Sequence, residues 1–297
     1  MSSVFNQKIL LPNCSADVWL KREDLIDPEI PGNKFRKLKY NIDFAIANGF
    51  DTLLTFGGAF SNHIDAVAYA GKRFGLKTIG IIRGDELASK PLNPTLSRAV
   101  RNGMRLHFIN REEYRKKNEE SFINHLNTSF GKFYLIPEGG TNELAVRGCE
   151  EILTDADFEF DYICCAVGTG GTLAGLSRSL GERQKLLGFS SLKGDFLKSE
   201  VEQWTMRSNF DIITDFHFGG YAKVDSVLVA FIKHFEAQNK VTIDPVYTGK
   251  MLFGIDKMSE SGFFKSSDRV LAIHTGGLQG IEGMKQKMSS IDIESNE

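Results

Sequence analysis

The sequence predicts an α/β protein whose strands form parallel sheets flanked by helices. Short apolar runs typical of strands alternate with helical stretches, and such alternation favours parallel strands joined by helical crossovers. In addition, glycine-rich turns follow two of these runs and open into helices, as in the ligand-binding turns of open sheets. Strands are predicted at residues 18–20, 52–56, 78–82, 105–109, 133–136, 161–167, 185–189 and 269–273.

Composition limits the possible functions. The 297 residues suffice for one large or two modest domains, and a formal net charge of −2 with interspersed signs gives no indication of a nucleic-acid or membrane-surface partner. No bilayer-spanning stretch or signal peptide is recognisable, so we expect a cytoplasmic protein. The cysteines and histidines lack metal-ligand spacing, so we expect no metal site, and mostly buried free thiols at Cys14, Cys149, Cys164 and Cys165.

The first long helix begins beside a lysine. Apolar residues recur at helical spacing from Phe35 to Ile46 and Gly49 ends the pattern, which places Lys34 in the first turn. The partial positive charge of a helix N-terminus lowers the pKa of an ammonium and favours the neutral amine that a nucleophile needs. Lys34 is therefore a candidate for Schiff-base chemistry. Taken alone, a lysine at such a position is more often a solvated surface residue.

The next candidate site is the turn after the strand at residues 52–56. It reads Gly57-Gly58-Ala59-Phe60-Ser61-Asn62-His63 and leads into a helix that ends near Phe74. A glycine turn between strand and helix is typical of ligand-binding turns. Ser61 and Asn62 can therefore cap the helix, contact a ligand or do both.

A third turn has the composition of an anion-binding site. It follows the strand at residues 161–167 and reads Gly168-Thr169-Gly170-Gly171-Thr172. Glycines let backbone N–H groups approach phosphate oxygens, the threonine hydroxyls can donate, and the following helix N-terminus favours negative charge. The turn lacks the Lys-Ser/Thr of a P-loop and the spacing of a dinucleotide fingerprint. Combined with the lysine and the Ser-Asn turn, this cradle predicts an aldehyde cofactor that carries a phosphate, and pyridoxal 5'-phosphate fits that description.

With these motifs the chain resembles the fold-type II pyridoxal-phosphate enzymes, in particular the group of 1-aminocyclopropane-1-carboxylate (ACC) deaminase and D-cysteine desulfhydrase. The resembling segments extend over nearly the whole chain, at residues 19–25, 32–38, 58–63, 168–172, 247–250 and 274–277. The resemblance implies a tryptophan synthase β-like fold of two open, mainly parallel α/β domains. It further implies a small domain at residues 48–142 inserted into a large one at residues 1–47 and 143–297, a cofactor cleft between them, and a homodimer.

The resemblance also implies a role for each matched position. Lys34 would join the cofactor covalently, Lys37 would help to bind its phosphate, and Asn62 would hydrogen-bond its phenolic oxygen. Ser61 would face the substrate carboxylate or act as a nucleophile. Asn62 and His63 are expected beside it at the substrate, with His63 as a support. The remaining implied site residues are Gly168, Thr169, Gly170, Gly171, Thr172, Thr248 and Thr275 for the cofactor, and Tyr247 and Tyr221 for catalysis and the substrate pocket. For each tyrosine the alternative is a packed ring with a satisfied hydroxyl.

Two positions separate the activities of that group. Thr248 stands where the cyclopropane-opening enzymes carry an acidic residue facing the pyridine nitrogen, and Thr275 stands where they carry an apolar one. A neutral hydroxyl leaves the ring a weaker electron sink, which suits elimination of a good leaving group such as thiolate. We therefore expect α,β-elimination from D-cysteine, with ACC deamination and a cofactor- or amino-acid-binding protein without turnover as alternatives. Phe60 stands where related enzymes more often carry a glutamine before the serine. This difference leaves the identity of the natural substrate undetermined.

Overall fold

The computed structural model describes residues 4–294, which form two sheets. The strands are β1 (Asn6–Lys8), β2 (Asp17–Lys21), β3 (Thr52–Gly57), β4 (Lys77–Arg83), β5 (Met104–Ile109), β6 (Tyr134–Ile136), β7 (Tyr162–Val167), β8 (Lys185–Ser190), β9 (Phe210–Ile213) and β10 (Arg269–Ile273).

Helices connect most of these strands. They are α1 (Asn33–Ala47), α2 (Asn62–Phe74), α3 (Pro94–Arg101), α4 (Arg111–Arg115), α5 (Glu120–Phe130), α6 (Glu143–Glu150), α7 (Gly171–Ser179), α8 (Leu197–Glu202), α9 (Ser226–Asn239), α10 (Thr248–Glu260) and α11 (Ile281–Glu294). Within the described residues, no helix combines the length and the apolar character needed to cross a bilayer.

The predicted α/β class with mainly parallel sheets is confirmed. One sheet has the strand order β1-β2-β10-β7-β8-β9, and the other has the order β5-β4-β3-β6. Only β1 pairs antiparallel with its neighbour among these strands. All eight strands predicted from the sequence are present, whereas β1 and β9 were missed. Both are short strands at the edges of the six-stranded sheet, so they need no long apolar run.

Helices cover both faces of each sheet, which explains why the strands are buried apolar runs. On the six-stranded sheet, α9 and α10 pack on one face and α6, α7 and α8 on the other. Adjacent side chains of a strand point to opposite faces. Accordingly Cys164 belongs to the first core and Cys165 to the second. All four cysteines are free thiols, and only Cys14 is not fully buried.

Helix α1 joins the two sheets. It begins at Asn33, so Lys34 does lie in its first turn. Its residues Leu38, Ile42 and Ala45 are buried in the core of the four-stranded sheet, while Ile46 is 49% exposed and does not extend the predicted buried stripe. All strands of the four-stranded sheet lie between residues 52 and 136. The domain boundaries at residues 48 and 142 stay a prediction.

Candidate active site

Two lysines of α1 lie against the turn that follows β6. The Lys34 ammonium donates to the Gly139 carbonyl oxygen at 3.4 Å, and the Lys37 ammonium donates to the same oxygen at 3.0 Å. Burial, followed by the charge of Lys37, lowers the pKa of Lys34 to about 7. Near neutral pH a large fraction of Lys34 is therefore the neutral amine, which is the form that attacks a carbonyl carbon.

Lys37 places a buried positive charge beside two hydroxyl groups. Its side chain is only 2% exposed, and burial lowers its pKa. It also donates to the hydroxyls of Thr141 and Thr169, at 3.0 and 3.4 Å, and these two hydroxyl oxygens are 2.7 Å apart. A cation flanked by hydroxyls is a suitable receptor for phosphate oxygens.

The glycine turn between β7 and α7 brings a helix N-terminus to the same region. Gly170 has a φ of +80°, which favours glycine, and a Cβ on Gly171 would come within 2.7 Å of the Thr141 hydroxyl. Thr172 accepts a hydrogen bond from the Asn33 side chain at 2.9 Å, so the turn is tied to the start of α1. The first N–H groups of α7 have no partner within the helix, and such a helix N-terminus favours a bound anion.

Ser61 and Asn62 lie where β3 turns into α2. The Ser61 hydroxyl caps the helix by accepting the Ile64 N–H at 3.3 Å. The Asn62 side-chain oxygen is buried and has no hydrogen-bond partner among the described residues. Gly277 and Gly280 lie beside this amide. A Cβ on Gly277 would be 3.1 Å from its nitrogen, and a Cβ on Gly280 would be 3.1 Å from its oxygen. A buried amide oxygen without a partner is costly unless a ligand satisfies it.

His63 supports this turn from its buried side. Its Nε2 atom is 2.9 Å from the Thr55 hydroxyl oxygen, and a Cβ on Gly140 would be 2.8 Å from the ring. Burial, followed by the charges of Lys34 and Lys37, holds the pKa of His63 well below its usual value. The imidazole is therefore neutral and wedged between β3 and the turn at residues 138–140.

Two tyrosines form another wall of the site. The rings of Tyr221 and Tyr247 meet edge to face with their centroids 6.1 Å apart. Gly168 of the cradle lies against them, because a Cβ there would be 3.2 Å from the Tyr247 ring. Burial, followed by Tyr221, raises the pKa of Tyr247 well above its usual value. The Tyr247 hydroxyl therefore keeps its proton at neutral pH and can donate it.

A carboxylate that sequence reasoning missed fixes the start of α10. Asp244 accepts the backbone N–H groups of Val246, Tyr247 and Thr248 at 2.9, 2.6 and 2.9 Å. Hydrogen bonds to an ionised acceptor are among the stronger ones in proteins, so this turn holds Tyr247 firmly. The available signal was Asp244-Pro245 just before a helix, which is typical of a turn capped by a carboxylate.

Thr248 and Thr275 lie at the ends of two neighbouring elements. The Thr248 hydroxyl is buried and has no partner within residues 4–294. Thr275 contacts α1 through its backbone, since its carbonyl oxygen accepts the Asn33 N–H at 3.2 Å. Gly32 permits this approach, because a Cβ there would be 1.9 Å from the same oxygen. The turn after β10 is thus joined to the residues that precede Lys34.

The predicted site residues fall into two adjoining groups. Lys34, Lys37 and the cradle surround the Gly139 carbonyl, and Gly168 connects them to a narrow pocket. Three predicted residues lie on its wall, Asn62, Tyr221 and Tyr247, beside Asp244, which was not predicted. The predicted residues Ser61, His63, Thr248 and Thr275 do not line it. The pocket is lined by Phe60, Asn62, Tyr221, Ala222, Asp244, Pro245, Val246, Tyr247, Gly277, Gly280 and Met284.

Comparison with known sequences identifies the class of protein. The profile of the family described as pyridoxal-phosphate dependent enzyme matches residues 6–276. The chain belongs to this family. The predicted cofactor is thereby confirmed, and the chain is a pyridoxal-phosphate enzyme with a fold-type II architecture.

Relatives of this pyridoxal-phosphate enzyme include ACC deaminases. A Thermotoga maritima protein that carries this name provisionally is 34% identical over 92% of this chain and 92% of its own length. The mitochondrial bifunctional D-cysteine desulfhydrase/ACC deaminase of Arabidopsis thaliana is 33% identical over 95% of this chain and 77% of its own length. The crystal structure of an ACC deaminase homologue superposes with a TM-score of 0.83, at 29% identity, over 98% of this chain and 94% of the other.

The residues of the site fit pyridoxal phosphate. The Lys37 ammonium, the Thr141 and Thr169 hydroxyls and the N-terminus of α7 match a phosphate group. The neutral amine of Lys34 matches an aldehyde. The unpartnered oxygens of Asn62 and Thr248 are buried polar atoms that the polar edge of the cofactor ring would satisfy.

Thr141 is a second residue that sequence reasoning missed. It contacts both Lys37 and Thr169, although it follows β6 and lies far from either in the sequence. A signal was present, because Gly139-Gly140-Thr141 repeats the Gly-Gly-Thr of the cradle at residues 170–172. Two such turns at the carboxyl ends of parallel strands are expected to face a shared ligand.

The lowered pKa of Lys34 predicts how the cofactor loads. We expect the rate of covalent capture of pyridoxal phosphate by the apoenzyme to rise with pH through about 7 and to level off above it. The reason is that only the unprotonated amine attacks the aldehyde. Stopped-flow absorbance between pH 5.5 and 9 measures this rate. Lysine acetylated on its α-amine is the control, since its free side-chain amine has a pKa of about 10.4. A midpoint near that value for the enzyme would contradict the prediction.

Proposed function

We propose that this enzyme catalyses α,β-elimination from D-cysteine, giving pyruvate, sulfide and ammonia. The observation that carries the proposal is the hydroxyl of Thr248, which is neutral, buried and without a partner in the described part of the chain. By resemblance, this residue faces the pyridine nitrogen, where the cyclopropane-opening enzymes carry an acid. A neutral group there leaves the nitrogen less positive than a carboxylate would.

The strength of the electron sink separates the two reactions. When bound, pyridoxal phosphate supplies an electron sink that acidifies the Cα–H bond of an amino acid. Opening a cyclopropane ring that lacks an α-hydrogen demands the stronger sink, which a carboxylate maintains. Loss of thiolate from cysteine follows removal of an acidic α-proton and demands less. The Thr248 hydroxyl thus favours elimination.

The chain's own residues supply the proton transfers and the orientation. In this proposal Lys34, neutral near pH 7, accepts the α-proton, and protonated Tyr247 donates to the sulfur as the Cβ–S bond breaks and its electron pair leaves with sulfur. The start of α2 at Ser61 and Asn62 binds the substrate carboxylate, because helix N-termini favour anions. The released 2-aminoacrylate consumes one water to give pyruvate and ammonia.

ACC deamination to 2-oxobutanoate and ammonia is the second candidate. The names of the relatives favour it, since the Thermotoga maritima protein is named for ACC alone and the Arabidopsis thaliana protein for both activities. The relatives therefore support an enzyme acting on a small amino acid, and Thr248 is the reason for placing D-cysteine first.

A substrate panel tests the proposal. The holoenzyme is incubated with D-cysteine, L-cysteine, D-serine and ACC, and 2-oxo acid, sulfide and ammonia are measured. We expect D-cysteine to give the highest kcat/KM, with equal amounts of pyruvate and sulfide. 2-Oxobutanoate from ACC at a higher kcat/KM would replace the proposal with the second candidate. Tightly bound cofactor without turnover of any of these would indicate a binding protein.

Phe60 is expected to limit the size of the substrate. Its ring lines the pocket, and a Cβ on Gly283 of α11 would be 2.7 Å from it, so ring and helix close one side. We expect Phe60→Ala to raise kcat/KM for S-ethyl-D-cysteine relative to D-cysteine by about 10-fold, the usual effect of one or two methylenes in a pocket. Phe74→Ala, at the exposed end of α2, is the matched control. An unchanged ratio in Phe60→Ala would place the substrate elsewhere.

We further propose, on the resemblance alone, that the enzyme is a cytoplasmic homodimer. Size-exclusion chromatography with light scattering, over a tenfold range of concentration, tests the assembly. A constant mass of twice the 33.1 kDa of the chain is the expected result. A monomer at every concentration would contradict it.

A further inference from the structure

The loop that carries Tyr221 has an unusual backbone. Phe218 and Ala222, on either side of Tyr221, have φ values of 55° and 53°, and Gly219 and Gly220 have φ values of 89° and 115°. Side chains other than glycine rarely adopt this region, and each such residue is disfavoured unless its surroundings hold it. The loop at residues 217–222 therefore needs an anchor.

Helix α10 provides that anchor through two of its side chains, Lys250 and Phe253. The Lys250 side chain is 1% exposed, and its ammonium donates to the carbonyl oxygens of His217 and Gly220, each at 2.8 Å. The Phe218 ring meets the Phe253 ring edge to face with centroids 5.0 Å apart. The ammonium therefore contacts polar backbone groups on both sides of Phe218 and Gly219.

The same helix also begins at Tyr247. Lys250 lies three residues after Tyr247, so one turn of α10 carries both the tyrosine of the site and the cation that holds the loop. Tyr221 follows Gly220 directly, and its ring contacts Tyr247. Ammonium-to-carbonyl bonds in a buried setting are strong and resist exchange with water.

We propose that Lys250 is a positioning residue that fixes Tyr221 against Tyr247 by binding the two carbonyl groups of the loop. Among the described residues, Tyr221, Ala222 and Tyr247 line the pocket and Lys250 does not. Its effect on turnover therefore passes through Tyr221, and this part of the inference rests on the proposed function of the pocket. The order of the loop does not rest on it.

The first test follows the loop without any substrate. Lys250→Met keeps the length and the apolar stem of the side chain and removes the cation. The matched control is Lys257→Met, which removes a partly exposed lysine of the same helix that pairs with Glu260. Holoenzyme is treated with chymotrypsin, and cleavage after Phe218 and Tyr221 is followed by mass spectrometry. We expect cleavage at these two sites to be at least about tenfold faster in Lys250→Met than in the control. Equal rates would overturn the inference.

The second test is a double-mutant cycle with D-cysteine. We expect Lys250→Met to raise KM about tenfold with kcat changed less than about threefold, and to have almost no further effect when Tyr221→Ala is already present. An equal effect with and without Tyr221 would mean that Lys250 acts elsewhere and would overturn the positioning role. If D-cysteine is not a substrate, the proposed function fails while the cleavage rates still decide the inference.

A second variant provides the test if the Lys250→Met protein does not fold. Lys250→Gln retains an uncharged N–H donor on a shorter side chain. We expect its loop to be cleaved faster than that of Lys257→Met, because one neutral donor cannot replace the two bonds of the ammonium. Folded Lys250→Gln with cleavage at the control rate would overturn the inference.

Discussion

Lys34→Ala is expected to abolish covalent attachment of the cofactor and to lower turnover by at least about 10³-fold. The amine is the group that we propose to bind the aldehyde and then to accept the α-proton, and loss of a general base alone typically costs 10²- to 10⁴-fold. The other buried amine beside it in the described part of the chain is that of Lys37, which is engaged by Gly139 and two threonine hydroxyls. Lys37 should therefore not replace Lys34.

Peptide mapping measures this expectation directly. The purified holoenzyme is reduced with borohydride and digested, and the peptide that carries the reduced cofactor is identified by mass spectrometry. Lys39→Ala is the matched control, since it removes an exposed lysine of the same helix whose ammonium pairs with Glu151. We expect the label on Lys34 in the wild type and in the control, and none in Lys34→Ala. A label on any other lysine in the wild type would refute the assignment of the covalent site.

Local patterns were enough to predict eight of the ten described strands and the position of Lys34 in the first turn of α1. Apolar runs such as residues 161–167 are buried on both faces, so their composition alone indicates a parallel strand. Lys34 was placed in a first turn because the helical spacing and Gly49 set both ends of α1. In each case the sequence pattern that supports the prediction lies within one strand or helix, so the prediction does not require knowledge of the surrounding sheet.

Contacts between distant elements could not be read in this way. Thr141 meets Lys37 and Thr169 only after three elements have come together. The strained loop that carries Tyr221 is harder still to predict, because Phe218 and Ala222 adopt backbone conformations that their residue types disfavour. Sequence reasoning is expected to fail where tertiary contacts override local preference.

The close approach of α1 to the turn after β10 predicts a second large effect. We expect Gly32→Ala to lower the free energy of unfolding by more than about 4 kcal/mol and to weaken cofactor binding, an exceptional loss for one methyl group. A Cβ on Gly32 would be 1.9 Å from the Thr275 carbonyl oxygen and 2.2 Å from its carbonyl carbon. Both are backbone atoms, so no side-chain rotation relieves the overlap. The backbone must therefore move at the start of α1, next to Lys34.

Gly49→Ala separates this overlap from ordinary backbone strain. Gly49 has a φ of +67°, close to the +64° of Gly32, but a Cβ there would have no atom within 4 Å. Its alanine variant should lose only about 1 to 2 kcal/mol, the cost of a left-handed conformation. Urea unfolding of both apoproteins, with a cofactor titration of each, gives the comparison. Equal stabilities would mean that the turn after β10 can shift at little energetic cost. The contact between this turn and the start of α1 would then not hold Lys34 in place.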